Sequence, residues 1–248
     1  MIRVTQSWDD GVTDDVRLIE LLHKYKAKAT FNLIPGSYTA ERKTSHWHYQ
    51  DTKEVFMLAR PELPALYRDF EVASHSLTHP NLAKLPSDKL AHELLESRKQ
   101  LEDLFQRPIR GFAYPYGSYN IVVKEAIRRQ GYVYARTAIP GPEYATATNP
   151  TPVNVPSVYP PADPMEFGTT THQLNPRFWQ EFANTKAHGG VFHFWGHSYE
   201  FLTEKMWQAF EAKLARLSAD PAVVWMTNLD LFTPAAEYNI SIQPDSLV

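Results

Sequence analysis

Four short stretches of the chain concentrate the side chains able to move protons or hold a cation. Ser7-Trp8-Asp9-Asp10-Gly11 sets two carboxylates side by side. Adjacent carboxylates repel, so both serve one site only with a cation or a shared proton between them. Such a pair can divide labour, one binding a metal and the other taking a proton. His75-Ser76-Leu77-Thr78-His79 spaces two imidazoles four residues apart. That spacing predicts one face of a helical turn, with both rings in reach of one ion. Asp69 and Glu71 lie too far back to complete the set, and Asp10 is the obvious oxygen donor. Phe112-Ala113-Tyr114-Pro115-Tyr116-Gly117 ends in a turn whose free backbone N–H groups can face a developing oxyanion. His193-Phe194-Trp195-Gly196-His197-Ser198 projects His193 and His197 to the same side of an extended segment. Either histidine suits general-acid work near neutral pH.

Each stretch alone has a plainer reading: a helix-entry turn, two core or solvated histidines, a Pro-Gly turn, an aromatic strand. Their common placement argues otherwise. Apolar alternation and β-branched runs predict strands at 2–7, 27–34, 70–74, 109–114, 132–137, 191–195 and 222–227. Helical periodicity fills 14–26, 88–106, 120–130 and 204–218, with Thr13, Ser87 and Thr203 as candidate caps and Gly131 as a C-terminal stop. Strand–helix alternation means parallel pairing with right-handed crossovers. The pattern predicts an α/β fold, one domain over residues 1–248, shaped as a distorted (β/α) barrel of about seven parallel strands. An open doubly wound sheet is the alternative, but no glycine-rich phosphate loop follows any strand. All four stretches fall at carboxyl ends of predicted strands, which converge on one rim of such a barrel. Two segments, 38–64 and 140–176, interrupt the alternation as long irregular excursions, and loops of that length are often functional.

Composition narrows the function. Of 248 residues, 43% are apolar, 13% aromatic and 21% charged, which fits a folded core and excludes a disordered chain. A net charge of -3 gives no basic field for nucleic acid. Mean hydropathy is -0.41, and no apolar run is long enough to span a membrane. Without cysteine, disulfides, thiolate zinc sites and cysteine nucleophiles are excluded. Met1-Ile2-Arg3-Val4 leads directly into the first strand with no secretory n-region or h-region. The expectation is therefore a cytoplasmic chain as given, or a secreted one if a leader has been trimmed. Nothing in the composition specifies an oligomer.

These residues carry a family resemblance. The chain resembles the polysaccharide deacetylase family, also called the NodB homology domain or carbohydrate esterase family 4. Trp8-Asp9-Asp10-Gly11 resembles its first motif, His75-Ser76-Leu77-Thr78-His79 its second, and Tyr114-Pro115-Tyr116-Gly117 part of its third. The resemblance implies that Asp10, His75 and His79 bind a divalent metal, with zinc favoured and cobalt, nickel or iron as competitors. It implies Asp9 as the base that activates a water on that metal, and the Tyr116 backbone N–H as an oxyanion donor. A late histidine would protonate the leaving amine. Local sequence favours Phe192-His193, and position at the strand end favours His197; the reading leans to His193 as acid, with His197 lining the site. The third motif usually carries an arginine that orients the base aspartate. Here Ala113 stands in that position, and Arg136 on the next strand could supply the charge.

The expected activity is removal of acetyl groups from N-acetylated sugars or polysaccharide. Aromatic residues near the rim, Trp47, Tyr49, Trp195 and Tyr199 among them, could stack on sugar rings or simply pack. Two rivals remain: an amidohydrolase for a small cyclic amide on the same scaffold, and a non-catalytic carbohydrate binder. The Asp-His-His set speaks against a metal-free amidase. Asp9 beside Asp10 speaks against a binder, which has no need of a base.

Overall fold

The computed structural model describes residues 1–138 and 161–233. In chain order the first half contains β1 (Ile2–Asp10), α1 (Asp15–Lys24), β2 (Thr30–Leu33), β3 (Lys43–Tyr49), β4 (Lys53–Met57), α2 (Leu63–Leu66), β5 (Glu71–Ser74) and α3 (Ser87–Phe105). It continues with β6 (Gly111–Ala113), α4 (Ile121–Arg129), β7 (Tyr134–Arg136), β8 (Thr171–His172), α5 (Phe178–His188), β9 (Val191–Gly196), α6 (Glu204–Ala219) and β10 (Val223–Trp225). β1 sits at the centre and is buried over nearly its whole length, as a parallel strand covered on both faces must be. The sheet order is β7-β6-β5-β2-β1-β9-β8, all parallel, and β10 pairs with residues Ile2 to Val4 of β1. Just before β8, Phe167 bridges Arg136 of β7, and its N–H donates to the Ala135 carbonyl at 3.0 Å. Three residues later the Thr170 N–H donates to the His193 carbonyl of β9 at 2.7 Å. One short segment thus ties the two ends of the sheet together and curls it into a distorted barrel.

Side-chain alternation along β1 sorts the two faces. Trp8 points outward and packs on Phe210 of α6, ring centroids 5.2 Å apart. Ser7 and Asp9 point inward, where they meet His193 and Arg136. The expected cap Thr203 accepts from the Met206 N–H, and Gly131 follows α4 with φ +77. Ser87 is instead the first residue of α3, behind Pro86. Thr13 does not cap α1 either, since it lies one residue before the N-cap position. Asp14 stands at that position, with its carboxylate held by Lys53 at 2.6 Å.

The 38–64 excursion is not irregular. It forms the antiparallel hairpin β3–β4, a sheet of its own beside the barrel. The sequence signal failed there because β3 is mostly polar and bulged, which breaks the alternation that would mark it. Most of the 140–176 excursion lies outside the described residues; its end holds β8 and the turn Pro164–Glu166. Helix α5 was also unforeseen, and no helix among the described residues is long and apolar enough to cross a membrane.

Candidate active site

Asp9 and Asp10 both line one cavity, which a regular strand would forbid because successive side chains alternate. The break comes from the backbone of Asp10, whose φ of 82 lies in the left-handed region. Such strain in a non-glycine residue concentrates at functional sites. The Asp9 carboxylate is buried and accepts from Asn32 Nδ2 at 2.6 Å. Arg136 Nη2 donates to Asp9 Oδ1 at 2.5 Å and to Oδ2 as well. Burial alone would raise the Asp9 pKa, but the Arg136 guanidinium, followed by His75 and His197, holds it well below the usual carboxylate range.

His75 and His79 meet, but not on a helical turn. Ser76 and His79 take φ of 63 and 62, and this bend brings the two Nε2 atoms to 3.2 Å. Glu93 of α3 fixes the bend by accepting from the Leu77 and Thr78 N–H groups, both at 2.9 Å. His75 Nδ1 lies 2.8 Å from the Ala113 carbonyl, so Nδ1 carries the proton and Nε2 offers its lone pair. Burial lowers the His75 pKa to about 4, which keeps the ring neutral as a ligand must be.

The donor set fits one divalent cation. Ligand atoms of Asp10, His75 and His79 lie within 4.8 Å of one another. Asp10 Oδ1 is buried without a hydrogen-bond partner among the described residues, 3.9 Å from His75 Nε2. Two nitrogens on a tetrahedral zinc, bonded at roughly 2.0–2.1 Å, stand about 3.3 Å apart, close to the observed separation of the imidazoles.

The late histidines separate. His193 is wholly buried inside the barrel, its Nε2 3.0 Å from Ser7 Oγ and its ring stacked on Phe167, and it does not line the cavity. His197 lines the cavity, with Nδ1 3.1 Å from Glu200 Oε1 and Nε2 3.9 Å from Asp10 Oδ2. His193 is the third residue of β9, three residues short of the strand's last residue Gly196, whereas His197 follows that end. Glu200 also takes the His197 N–H and Gln173 Nε2, both at 3.1 Å, and faces His172 Nε2 at 3.1 Å. The Leu174 N–H donates to His172 Nδ1, so the His172 proton sits on Nε2 and points at Glu200. This trio is thus a hydrogen-bonded relay rather than a second set of metal ligands. A Cβ on Gly196 would come within 2.4 Å of Gln173 Cγ, so only glycine lets that residue and Glu200 close around His197. Burial would lower the His197 pKa, yet the Glu200 charge and hydrogen bond push it up to about 9.

Tyr116 takes φ of 58 in the turn after β6, and its ring packs on His79. The turn uses the N–H groups of Gly117 and Ser118, not that of Tyr116. The cavity is about 860 Å³ and gathers Asp9, Asp10, His75, His79, Arg136 and His197 with Trp47, Tyr116, Trp195 and Tyr199. Sequence reasoning missed Asn32, Glu93, Glu200 and His172. The polar Asn32 in a buried strand was a readable signal, and so was the spacing His197-x-x-Glu200.

Comparison with known proteins supplies the family and the fold. A family model for polysaccharide deacetylase matches residues 2–135, and the chain belongs to that family. YxkH of Bacillus subtilis (strain 168), named for the same family, is 26% identical over 136 residues, covering 54% of this chain and 44% of YxkH. The match thus spans less than half the length of that curated relative. Among solved structures, T48 deacetylase with substrate aligns over 93% of this chain and 90% of its own, TM-score 0.56, 14% identical. The Xyl-CE4 domain of a multidomain xylanase from the hindgut metagenome of Trinervitermes trinervoides aligns over 93% and 89%, TM-score 0.56, 16% identical. A mutant of a Bacillus anthracis CE4 pseudoenzyme with restored enzymatic activity aligns over 93% and 67%, TM-score 0.55, 16% identical. At these identities the likeness is one of fold: a distorted barrel.

Proposed function

We propose that residues 1–248 form one catalytic domain, a metal-dependent hydrolase that removes acetyl groups from N-acetylated sugars or polysaccharide. The observation that carries this reading is the convergence of Asp10, His75 and His79 beside an Asp9 gripped by Arg136. A divalent cation on those three residues, zinc by the chemistry of the donors, would polarise an acyl carbonyl and acidify a nearby water. Asp9 takes a proton from the attacking water. Arg136 and Asn32 keep its carboxylate ionised and aimed, the duty for which the family arginine is missing at Ala113. The Tyr116 backbone N–H faces the developing oxyanion. His197, protonated on Nδ1 towards Glu200, gives its Nε2 proton to the leaving nitrogen as the C–N bond breaks. Acetate and a free amine result.

Acetate release from N-acetylglucosamine oligomers, with chelation and metal add-back, tests this directly. Activity should vanish on chelation and return with zinc. Asp9→Asn should lose acetate release while keeping its metal. Activity that is indifferent to chelation contradicts the proposal. The cavity volume of about 860 Å³ falls in the small-molecule range, which supports a second reading, a small cyclic amide as substrate, to be assayed in parallel.

A further inference from the structure

We infer that Trp47, held at the cavity by a bulge in the β3–β4 hairpin, is the platform on which a neutral sugar ring of the substrate stacks, and that it sets affinity rather than turnover. This rests on the deacetylase reading and names a specificity-determining residue for it. The hairpin lies outside the barrel sheet and is tied to the entry of α1 by the Val12–Met57 bridge and by Lys53 on Asp14. Thr44 opposes Phe56 and His48 opposes Glu54, so Ser45, His46 and Trp47 stand against the single residue Val55. An insertion of two keeps the side-chain period, whereas an insertion of one would reverse the faces beyond it. Ser45, Trp47, Val55 and Met57 therefore all line the cavity. His46 takes φ of 59 to make this possible. Hydroxyls satisfy the displaced backbone: Thr44 Oγ1 accepts the His46 N–H at 3.0 Å, and Ser45 Oγ accepts the Trp47 N–H at 3.3 Å.

Val55 and Met57 are buried, but Trp47 is 47% exposed and leaves part of its ring open on the cavity wall. Its ring meets Tyr199 edge-on at 5.1 Å, and Tyr199 in turn stacks on His197 at 4.8 Å and donates to Asp10 Oδ2 at 3.2 Å. Trp47 thus stands one ring beyond the reacting groups. Among the described residues, the charged groups lining the cavity are Asp9, Asp10, Arg136 and the histidines, so the outer wall suits an uncharged ligand. A pyranose offers a C–H face to an aromatic plane and keeps its hydroxyls at the edge, near Ser37 and Ser45.

The test compares two probes on the zinc-loaded enzyme: an N-acetylglucosamine tetramer and 4-nitrophenyl acetate, which carries no sugar. Trp47→Ala should raise KM for the tetramer about 3- to 10-fold with kcat held, and leave the ester rate unchanged. Trp47→Phe should recover part of the loss. His46→Val, which disfavours the left-handed backbone, should raise KM as Trp47→Ala does, and His46→Gly should not. Calorimetric titration of the tetramer into Asp9→Asn, with and without Trp47→Ala, reads binding without turnover. Equal KM and Kd with and without Trp47 overturn the inference, as does an equal loss on both probes. An unchanged KM in His46→Val overturns the role of the bulge. If the wild type cleaves neither probe, the deacetylase reading fails, and the titration still decides for Trp47.

Discussion

His193 and His197 stand four residues apart on β9 and the turn that follows, and their surroundings give them opposite chemistry. His193 lies in the barrel interior against Ser7 and Phe167, where burial, followed by the Arg136 charge, lowers its pKa to about 3. His197 lies at the rim, where Glu200 overcomes burial and pushes its pKa up to about 9. One ring is therefore neutral and the other charged at neutral pH. Position along β9 and the presence of a partner carboxylate set the two rings apart. The interior joins β1 to β9, and the rim holds the residues able to react.

The sharpest way to break this comparison is to remove each histidine in turn. His197→Ala should lower kcat by about 10²- to 10⁴-fold, and because it strands the buried Glu200 carboxylate it should lower the melting temperature as well. His193→Gln should keep kcat per folded molecule within about threefold and lower the melting temperature. An equal catalytic loss in both would abolish the distinction. Next in size is Arg136→Met, which strands the Asp9 carboxylate in the interior; urea unfolding should show about 3–5 kcal/mol of lost stability. An effect of similar size, spread over several pH units, comes from pH. The folded His193 pKa lies below the ordinary 6.5, so between about 6.5 and about 3 the unfolded chain binds a proton that the folded one refuses. Stability is therefore complete above 6.5 and falls as pH drops, by up to about 1.4 kcal/mol per pH unit from this group, and His193→Gln should flatten that slope. Smallest is Thr203→Ala, which removes the cap on the Met206 N–H and should cost about 1 kcal/mol in urea unfolding.

Much of the site is legible in the sequence because its side chains stand where parallel strands end, and strand ends share a rim. Asp9, Asp10, His75 and His79 could be read this way, and so could Arg136, one strand beyond the alanine where the family arginine is missing. The two late histidines could not be separated: local sequence favours His193, and only the folded chain shows that His197, not His193, lines the cavity. Glu93 was hidden because its partners, the Leu77 and Thr78 N–H groups, are backbone atoms of a bend with no helical period. The first strand of the hairpin was hidden because Lys43-Thr44-Ser45-His46-Trp47-His48-Tyr49 is mostly polar and bulged, so the apolar run Val55-Phe56-Met57 had no visible partner.

The central claim is that Asp10, His75 and His79 share one cation. Metal content of zinc-loaded, gel-filtered protein, measured beside Asp10→Ala and His79→Ala variants shown by circular dichroism to be folded, tests it most directly. The account predicts one equivalent of zinc in the wild type and close to none in either variant. Zinc retained at one equivalent in the folded His79→Ala protein, or absent from the loaded wild type, would contradict it.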